Sequence, residues 1–296
     1  MQVRFSKMQG LGNDFVLLDA RATPIELTPV QVQRLADRRY GVGCDQVLLI
    51  DSPSLPTASV RYRVFNADGS AAQHCGNGVR CVARYLAQHT PHARGALGVE
   101  IGGQVYQLQL EATGLVRVDM GEPCFDPAAL PLRVPARLAR YPLALGASPS
   151  TDLALNAMAL NAALPQPEPL TFGAVCLGNP HAVFAVANVE HAPVVELGAA
   201  LQDHPAFPER VNVGFMQVLD TGHIRLRVFE RGAGETPACG TGACAAVAVG
   251  RVWGELAARV EVLLVGGSLT IDWPGPGHRL WMTGPAQSVF EGSIEL

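Results

Sequence analysis

Apolar residues recur with two different spacings in the first half of the chain. Alternating or short continuous apolar runs predict β-strands, and runs with a spacing of three to four residues predict helices. The predicted strands span residues 3–8, 15–19, 47–51, 59–65, 97–101, 104–110 and 115–120. The predicted helices span residues 30–39, after the capping pair Thr28-Pro29, and roughly 78–89. Gly102-Gly103 predicts a tight hairpin turn between two of the strands.

The second half of the chain repeats landmarks of the first half at a nearly constant offset in residue number. Three pairs share an identical offset: Asn66 with Glu230, Cys75 with Cys239, and Gly102 with Gly266. Asn13 and Asn179, which lie in similar Gly-Asn turns, have an offset that is only slightly larger. One register held over so many landmarks predicts two copies of a single α+β unit with a pseudo-two-fold relationship.

We expect each copy to be a mostly antiparallel sheet around one helix, which follows the cysteine of that copy. The second such helix is predicted at residues 243–253. The predicted domains are residues 1–121 and 122–285, and because ligand sites favour domain interfaces we expect the site in the cleft between them. The stretch 122–169 is rich in Pro and Ala and predicts a linker with early strands, including a short helix within 151–163.

Composition narrows the class of protein. The chain has 296 residues, of which 48% are hydrophobic and 16% charged, so it is expected to be globular. A net charge of -4 argues against a nucleic-acid partner. No apolar signal region or membrane-spanning run is evident, which predicts a soluble, non-exported protein. Seven cysteines, an odd number, fit free thiols in a reducing compartment. Their spacing is not that of zinc ligands, so no structural metal is expected.

Two of these cysteines stand directly before glycines at predicted helix starts. The motifs are Cys75-Gly76-Asn77-Gly78 and Cys239-Gly240-Thr241-Gly242. At such a position unpaired backbone N–H groups and the helix dipole favour negative charge. We therefore expect a lowered thiol pKa, an anion site, and two cysteines that face one substrate from opposite sides. The other cysteines are interpreted as small apolar side chains: Cys44, Cys81, Cys124, Cys176 and Cys244.

An ordered set of motifs resembles the diaminopimelate epimerase family. The matching stretches are residues 7–15, 41–46, 66–70, 75–81, 178–181, 212–214, 230–232 and 239–242. Two departures are His74, where family members often carry Gln or Met, and a longer Pro-rich and Ala-rich segment at 142–169. The resemblance implies cofactor-independent interconversion of LL- and meso-diaminopimelate, with Cys75 and Cys239 as thiolate base and thiol acid.

The resemblance also implies how the substrate is bound. The backbone N–H groups of Gly76, Asn77, Gly240 and Thr241 would hold the carboxylate at the reacting carbon, where negative charge develops. Arg231 would bind the distal carboxylate with its planar fork of donors. Glu230 and His181 would contact the substrate ammonium and balance protons around the thiols. The remaining pocket residues implied by the family are Asn13, Gln46, Asn66, Asn179 and Asn212.

The family further implies a cytoplasmic homodimer in lysine and peptidoglycan precursor synthesis, with a last strand at about 286–296 that returns to the first domain. Three alternatives stay open at this point. One is a related isomerase, similar to proline racemase or to phenazine-biosynthesis isomerases. Another is a binding protein switched by a Cys75–Cys239 disulfide. The third is a Schiff base on Lys7, the only lysine of the chain.

Overall fold

The computed structural model describes residues 1–72, 76–90, 95–134, 136–143 and 170–296. The chain forms two compact units: the N-terminal unit, Met1–Asp119 with Thr283–Leu296, and the C-terminal unit, Met120–Met282. Both units combine strands with helices, so the predicted α+β fold with two domains is confirmed. The predicted domain limits at residues 121 and 285 stay a prediction, and the helix predicted within 151–163 lies outside the described residues.

The N-terminal unit contains a mixed sheet and two helices. Its strands are β1 (Gln2–Gly10), β2 (Asn13–Asp19), β3 (Gln46–Asp51), β4 (Val60–Asn66), β5 (Ala71–Ala72), β6 (Ala96–Ile101), β7 (Gln104–Leu110), β8 (Val116–Asp119) and β18 (Gln287–Glu295). Its helices are α1 (Pro29–Ala36) and α2 (Gly76–His89). Pairing is antiparallel for β18 with β1, β1 with β2, β3 with β4, and β6 with β7, and parallel for β2 with β3 and β4 with β6.

The predicted strands of this half agree with the structure to within two residues at each end. Helix α1 begins as predicted, with Thr28 and Gln31 forming a reciprocal capping box. It ends earlier than predicted because the Asp37 side chain accepts hydrogen bonds from the N–H groups of Arg39 and Tyr40, at 2.7 and 2.8 Å. These bonds favour a turn over another helical turn.

The C-terminal unit repeats this arrangement. Its strands are β9 (Tyr141–Pro142), β10 (Thr171–Cys176), β11 (Pro180–Ala185), β12 (Asn212–Asp220), β13 (His223–Glu230), β14 (Gly234–Thr236), β15 (Arg259–Leu264) and β16 (Gly267–Asp272). Its helices are α3 (Val194–Gln202) and α4 (Gly240–Val252), with 3₁₀ turns at Pro127–Ala129 and Val189–His191. Strand β17 (Trp281–Gly284) lies where the chain passes back to the N-terminal unit.

Pairing order and direction are the same in the two units, and the register is the same between the second and third strands. β10 pairs antiparallel with β11, β11 parallel with β12, β12 antiparallel with β13, and β13 parallel with β15. Phe15 lies opposite Gln46 in the first unit, and His181 lies opposite Asn212 in the second. The offset in residue number from Phe15 to His181, and from Gln46 to Asn212, is the same as the offset from Asn13 to Asn179. This agreement supports the predicted duplication.

Each unit encloses the helix that follows its cysteine motif. Helix α4 contacts β10, β11, β12, β13 and β16, and its residues 240–250 are all buried. Helix α2 contacts β1, β2, β7, β8 and β18. The outer helices α1 and α3 contribute Val32 and Leu35, and Val194 and Leu197, to separate apolar clusters. The fold therefore fixes the N-terminal end of one central helix in each unit.

Candidate active site

The best-defined part of the candidate site is the N-terminal end of α4. Cys239 is the residue before the helix and has an extended backbone, with φ -113° and ψ 110°. Its Sγ accepts a hydrogen bond from the N–H of Gly242 at 3.4 Å. A Cβ on residue 242 would lie only 3.3 Å from that sulfur and 2.9 Å from Val228, so glycine keeps the approach open. The predicted thiol at a helix start is confirmed for Cys239, whose sulfur acts as the helix cap.

A carboxylate lies beside this thiol. Glu230 ends β13, and the hairpin to β14 brings the Thr236 hydroxyl back to donate to Glu230 Oε1. Cys239 and Glu230 are also hydrogen-bonded to each other. Burial raises the pKa of Glu230, and the hydrogen bonds from Thr236 and Cys239 act in the opposite direction.

The ionisation of Cys239 differs from the expectation drawn from the helix dipole. Burial raises the pKa of the Cys239 thiol well above its usual value, and the negative charge of Glu230 raises it further. Hydrogen bonds from Thr241 and the N–H of Gly242 lower it, but by less. The predicted lowering of the thiol pKa is therefore wrong for Cys239. A raised pKa favours the protonated sulfur, which can donate to the Glu230 carboxylate.

Three further predicted residues form a chain of contacts that leads to Cys239. The Oγ1 of Thr241 lies 3.6 Å from Cys239 Sγ and accepts from Asn179 Nδ2 at 3.4 Å. His181 Nε2 lies 3.0 Å from Asn179 Oδ1, so this nitrogen carries the proton. Burial lowers the pKa of His181 to about 3, and the charge of Arg231 adds to this. His181 is therefore a neutral donor that orients Asn179.

Asn212 holds the chain around Arg231. Its Nδ2 donates to the Pro180 carbonyl at 3.0 Å, and its Oδ1 accepts from the Arg231 N–H at 2.9 Å. Because both ends of this buried amide bind backbone, Asn212 fixes where Arg231 leaves the sheet. The exposed guanidinium of Arg231 donates from Nη1 to the Glu209 carbonyl at 3.1 Å. A planar fork of donors of this kind suits an anion such as a carboxylate.

Some of the predicted residues of the N-terminal unit lie at the equivalent helix end. Asn77, in the first turn of α2, donates from Nδ2 to Asn13 Oδ1 at 3.4 Å. This contact is equivalent to the Asn179–Thr241 bond in the other unit. Gln46 donates to Asn66 Oδ1 at 2.9 Å across β3 and β4. Gly76 opens α2 and is buried. Cys75, predicted to be the second thiol, lies outside the described residues.

The sequence prediction missed two residues that belong to this machinery. Arg80 is fully buried in α2 and donates to Asn77 Oδ1, Gly76 O and Pro285 O at 2.8, 3.3 and 3.1 Å. An arginine on the apolar first half of a predicted helix was a signal that could have identified it. Thr236 gave no such signal, because only the hairpin between β13 and β14 brings it to the Glu230 carboxylate.

Lys7 is not available for a Schiff base in this structure. Its Nζ lies 2.6 Å from Asp14 Oδ2 and donates to the Gly43 carbonyl, and the residue is 8% exposed. Arg38 binds the other oxygen of Asp14 at 2.7 Å. Burial acts to raise the pKa of Asp14, but the bonds from Arg38 and Lys7 outweigh it and hold that pKa well below its usual range. Lys7 thus belongs to an ionic cluster that supports the Asn13 turn.

Within the part of the chain that the structure describes, no helix is long and apolar enough to cross a membrane.

Comparison with known proteins agrees with the fold and with these motifs. The Bacillus anthracis phenazine biosynthesis protein of the PhzF family has the same fold, with a TM-score of 0.69 and 17% identity over all of both chains. A predicted epimerase from Pseudomonas aeruginosa also gives a TM-score of 0.69, at 15% identity over 99% of both.

Sequence relatives are much closer. The chain is 51% identical to the diaminopimelate epimerase of Alkalilimnicola ehrlichii over the whole of both proteins. It is 50% identical to that of Halorhodospira halophila, over 99% of this chain and 96% of the relative. The family model for diaminopimelate epimerase matches residues 5–125 and 173–289, which include most of the site described above. The chain therefore belongs to the diaminopimelate epimerase family.

Proposed function

We propose that this protein interconverts LL- and meso-2,6-diaminopimelate, without an organic cofactor, in the synthesis of lysine and peptidoglycan precursors. The curated relatives of that name, about half identical over their full length, support the substrate. The observation that carries the mechanism is the buried Cys239 thiol, which caps α4 and donates to Glu230. A protonated thiol is the group required to deliver a proton to one face of a carbon, and the adjacent carboxylate can accept that proton when the thiol acts as the base in the reverse direction.

Inversion of an α-carbon requires a base on one face and an acid on the other. We assign these roles to Cys75 and Cys239, which exchange them when the reaction runs in reverse. In the direction in which Cys239 delivers its proton, the α-carbon gains an S–H proton from one face while the Cys75 thiolate removes the original proton from the other. In the reverse direction Cys239 must act as the base, and the Glu230 carboxylate, which accepts the thiol hydrogen bond, then takes the Cys239 proton.

The two repeats differ in charge at equivalent positions, which favours one resting state. Glu230 is acidic where the first repeat has the neutral Asn66, at the same offset in residue number that relates the two cysteines. The first repeat has the buried cation of Arg80, where the second has Cys244. A nearby negative charge favours a neutral thiol, and a positive charge favours a thiolate. The proposed resting enzyme therefore carries a Cys239 thiol and a Cys75 thiolate.

The remaining residues would bind and polarise the substrate. Helix N–H groups at Gly76, Asn77, Gly240 and Thr241 suit the carboxylate that gains charge as the α-proton leaves. The exposed guanidinium of Arg231 suits the distal carboxylate. Side-chain amides and a carboxylate suit the ammonium groups. They belong to Asn13, Gln46, Asn66, Asn179 and Glu230, with Asn212 and His181 holding Arg231 and Asn179 in place.

We further propose a cytoplasmic homodimer. Strand β18 carries the apolar side chains of Val289 and Phe290, which are 56% and 49% exposed and adjacent in sequence. Exposed neighbouring apolar groups of this kind suit a contact surface. The cysteines within the described residues are free thiols, which suits a reducing compartment. Sedimentation equilibrium of the wild-type protein and Phe290→Glu tests the dimer. The variant should dimerise more weakly than the wild type, and a monomeric wild type would exclude the dimer.

The activity is tested with LL-diaminopimelate in D₂O. The reduced wild-type protein should form meso product that carries deuterium at one α-carbon, and Cys75→Ala and Cys239→Ala should each abolish it. Inversion of hydroxyproline or proline with no reaction of diaminopimelate would assign the protein to a related isomerase instead. Full activity in either alanine variant would exclude the two-thiol mechanism.

A further inference from the structure

Cys124 and Cys176 lie directly opposite each other on two antiparallel segments of the C-terminal unit. The Cys124 N–H donates to the Cys176 carbonyl at 3.0 Å, and the Cys176 N–H donates to the Cys124 carbonyl at 2.8 Å. In such a pair the two Cα atoms are about 5.5 Å apart and both side chains point to the same face. This separation is within the range found for disulfide-bonded cysteines.

The same two cysteines are the accessible ones within the described part of the chain. Both are partly exposed, whereas Cys44, Cys81, Cys239 and Cys244 are buried. The two thiols are also close enough to interact electrically, since Cys124 contributes to the raised pKa of Cys176 after the larger effect of burial. Neither takes part in the mechanism proposed above. The pair therefore combines disulfide geometry with access for a small reagent.

We propose that Cys124 and Cys176 form a reversible redox site that reacts with low-molecular-weight disulfides of the glutathione type. The thiolate of one cysteine attacks the small disulfide, forms a mixed disulfide and releases one small thiol. The second cysteine attacks that mixed bond, releases the second small thiol and closes the Cys124–Cys176 bond. Two protein thiols lose two electrons and two protons, and the small disulfide is reduced to two thiols.

Closing this bond also acts on the turn that carries Asn179, an effect that rests on the proposed function. The sulfur of Cys176 accepts a hydrogen bond from the N–H of Gly178. Gly178 has φ +83°, and the next residue, Asn179, is bonded to Thr241 beside Cys239. A bond from Cys176 to Cys124 redirects the sulfur that holds this turn. Because displacements of about an ångström at a site cost up to about a hundredfold in rate, we expect oxidised protein to react about tenfold more slowly.

The experiment treats the reduced wild-type protein and Cys124→Ser with oxidised glutathione under identical conditions. Peptide mapping without reduction should show a Cys124–Cys176 peptide, with Cys239 still alkylatable, and intact mass should show the loss of two hydrogen atoms. The variant should show only a glutathione adduct on Cys176. Deuterium exchange by the oxidised wild type should be about tenfold slower than by the reduced wild type and should recover with dithiothreitol.

Different outcomes overturn different parts of this inference. Stable glutathione adducts on both cysteines, or no reaction at either, would refute the redox site whatever the enzyme does. A formed bond with equal exchange rates in oxidised and reduced wild type would refute the effect on the Asn179 turn. If reduced wild type shows no exchange, the proposed function fails, but the mapped disulfide remains a direct test of the redox site.

Discussion

Replacing Thr236 by valine isolates the hydrogen bond that tunes Glu230. Valine has nearly the same shape as threonine but cannot donate, so the main change is the loss of the bond to Glu230 Oε1. The carboxylate is largely buried, and hydrogen bonds to charged groups are worth about 1.5–3 kcal/mol. If this bond helps Glu230 to accept the Cys239 proton, the rate of α-proton exchange should fall by about 10- to 100-fold.

The direction of the pH effect follows from the same contact. Burial raises the pKa of Glu230, and the Thr236 bond opposes that effect. Without the hydroxyl the pKa of Glu230 rises further, so a higher pH is needed before the carboxylate can accept a proton. The acidic limb of the pH profile of kcat/KM should therefore move to higher pH in Thr236→Val.

The assay is deuterium exchange into diaminopimelate, followed by mass spectrometry across pH for wild type, Thr236→Val and Thr236→Ser. Serine keeps the hydroxyl, so its profile should stay close to that of the wild type. A simple loss of packing would lower the rate of both variants without moving the acidic limb. An unchanged limb in Thr236→Val would refute the role assigned to the Thr236–Glu230 bond.

Three other changes test the surroundings of the site. Glu230→Gln should raise the free energy of unfolding by about 1 kcal/mol at neutral pH, because the raised pKa of Glu230 makes its ionisation unfavourable to folding. The gain should vanish in acid, where Glu230 is protonated. A lower free energy of unfolding for the variant in urea melts would contradict this. Arg80→Met should cost about 3 kcal/mol in urea melts because three acceptors around this buried guanidinium lose their donor; a cost near zero would contradict its positioning role. Lys7→Met should cost about 2 kcal/mol at neutral pH, because the lowered pKa of Asp14 stabilises the folded state fully above the unfolded pKa of Asp14. The cost should shrink as the pH falls from there through the folded pKa. Borohydride with substrate should add no mass at Lys7, and a trapped adduct would support a Schiff base.

Much of the fold could be predicted from the sequence because local signals and the repeat agree. The Gly102-Gly103 turn has two positive φ values, 56° and 81°, which glycine adopts readily, and β6 and β7 pair around it as expected. The nearly constant offset between the two repeats identifies equivalent strand ends without any knowledge of contacts. The apolar pattern does not predict helix α3, because its Ala-rich and Leu-rich sequence has little polar contrast between its faces.

The candidate site shows where sequence reasoning reaches its limit. The position of Cys239 at a helix start could be predicted, since glycine and a following apolar run mark that boundary. Its protonation state could not, because it depends on burial and on a carboxylate that a hairpin brings back to the thiol. Asn212 matches the family as a pocket residue, yet its amide binds the backbone at Pro180 and Arg231. Such contacts depend on the tertiary fold rather than on local sequence.

The most direct test of the two-thiol mechanism is where solvent deuterium first appears. Wild-type enzyme is incubated with LL-diaminopimelate in D₂O for less than one tenth of the conversion to equilibrium, and substrate and product are then separated. Two thiols with separate roles predict deuterium at the inverted carbon of the meso product and almost none in the recovered LL-substrate, because the proton taken by Cys75 is not the one that Cys239 delivers. Equal early labelling of substrate and product would contradict the assignment of one thiol to each face.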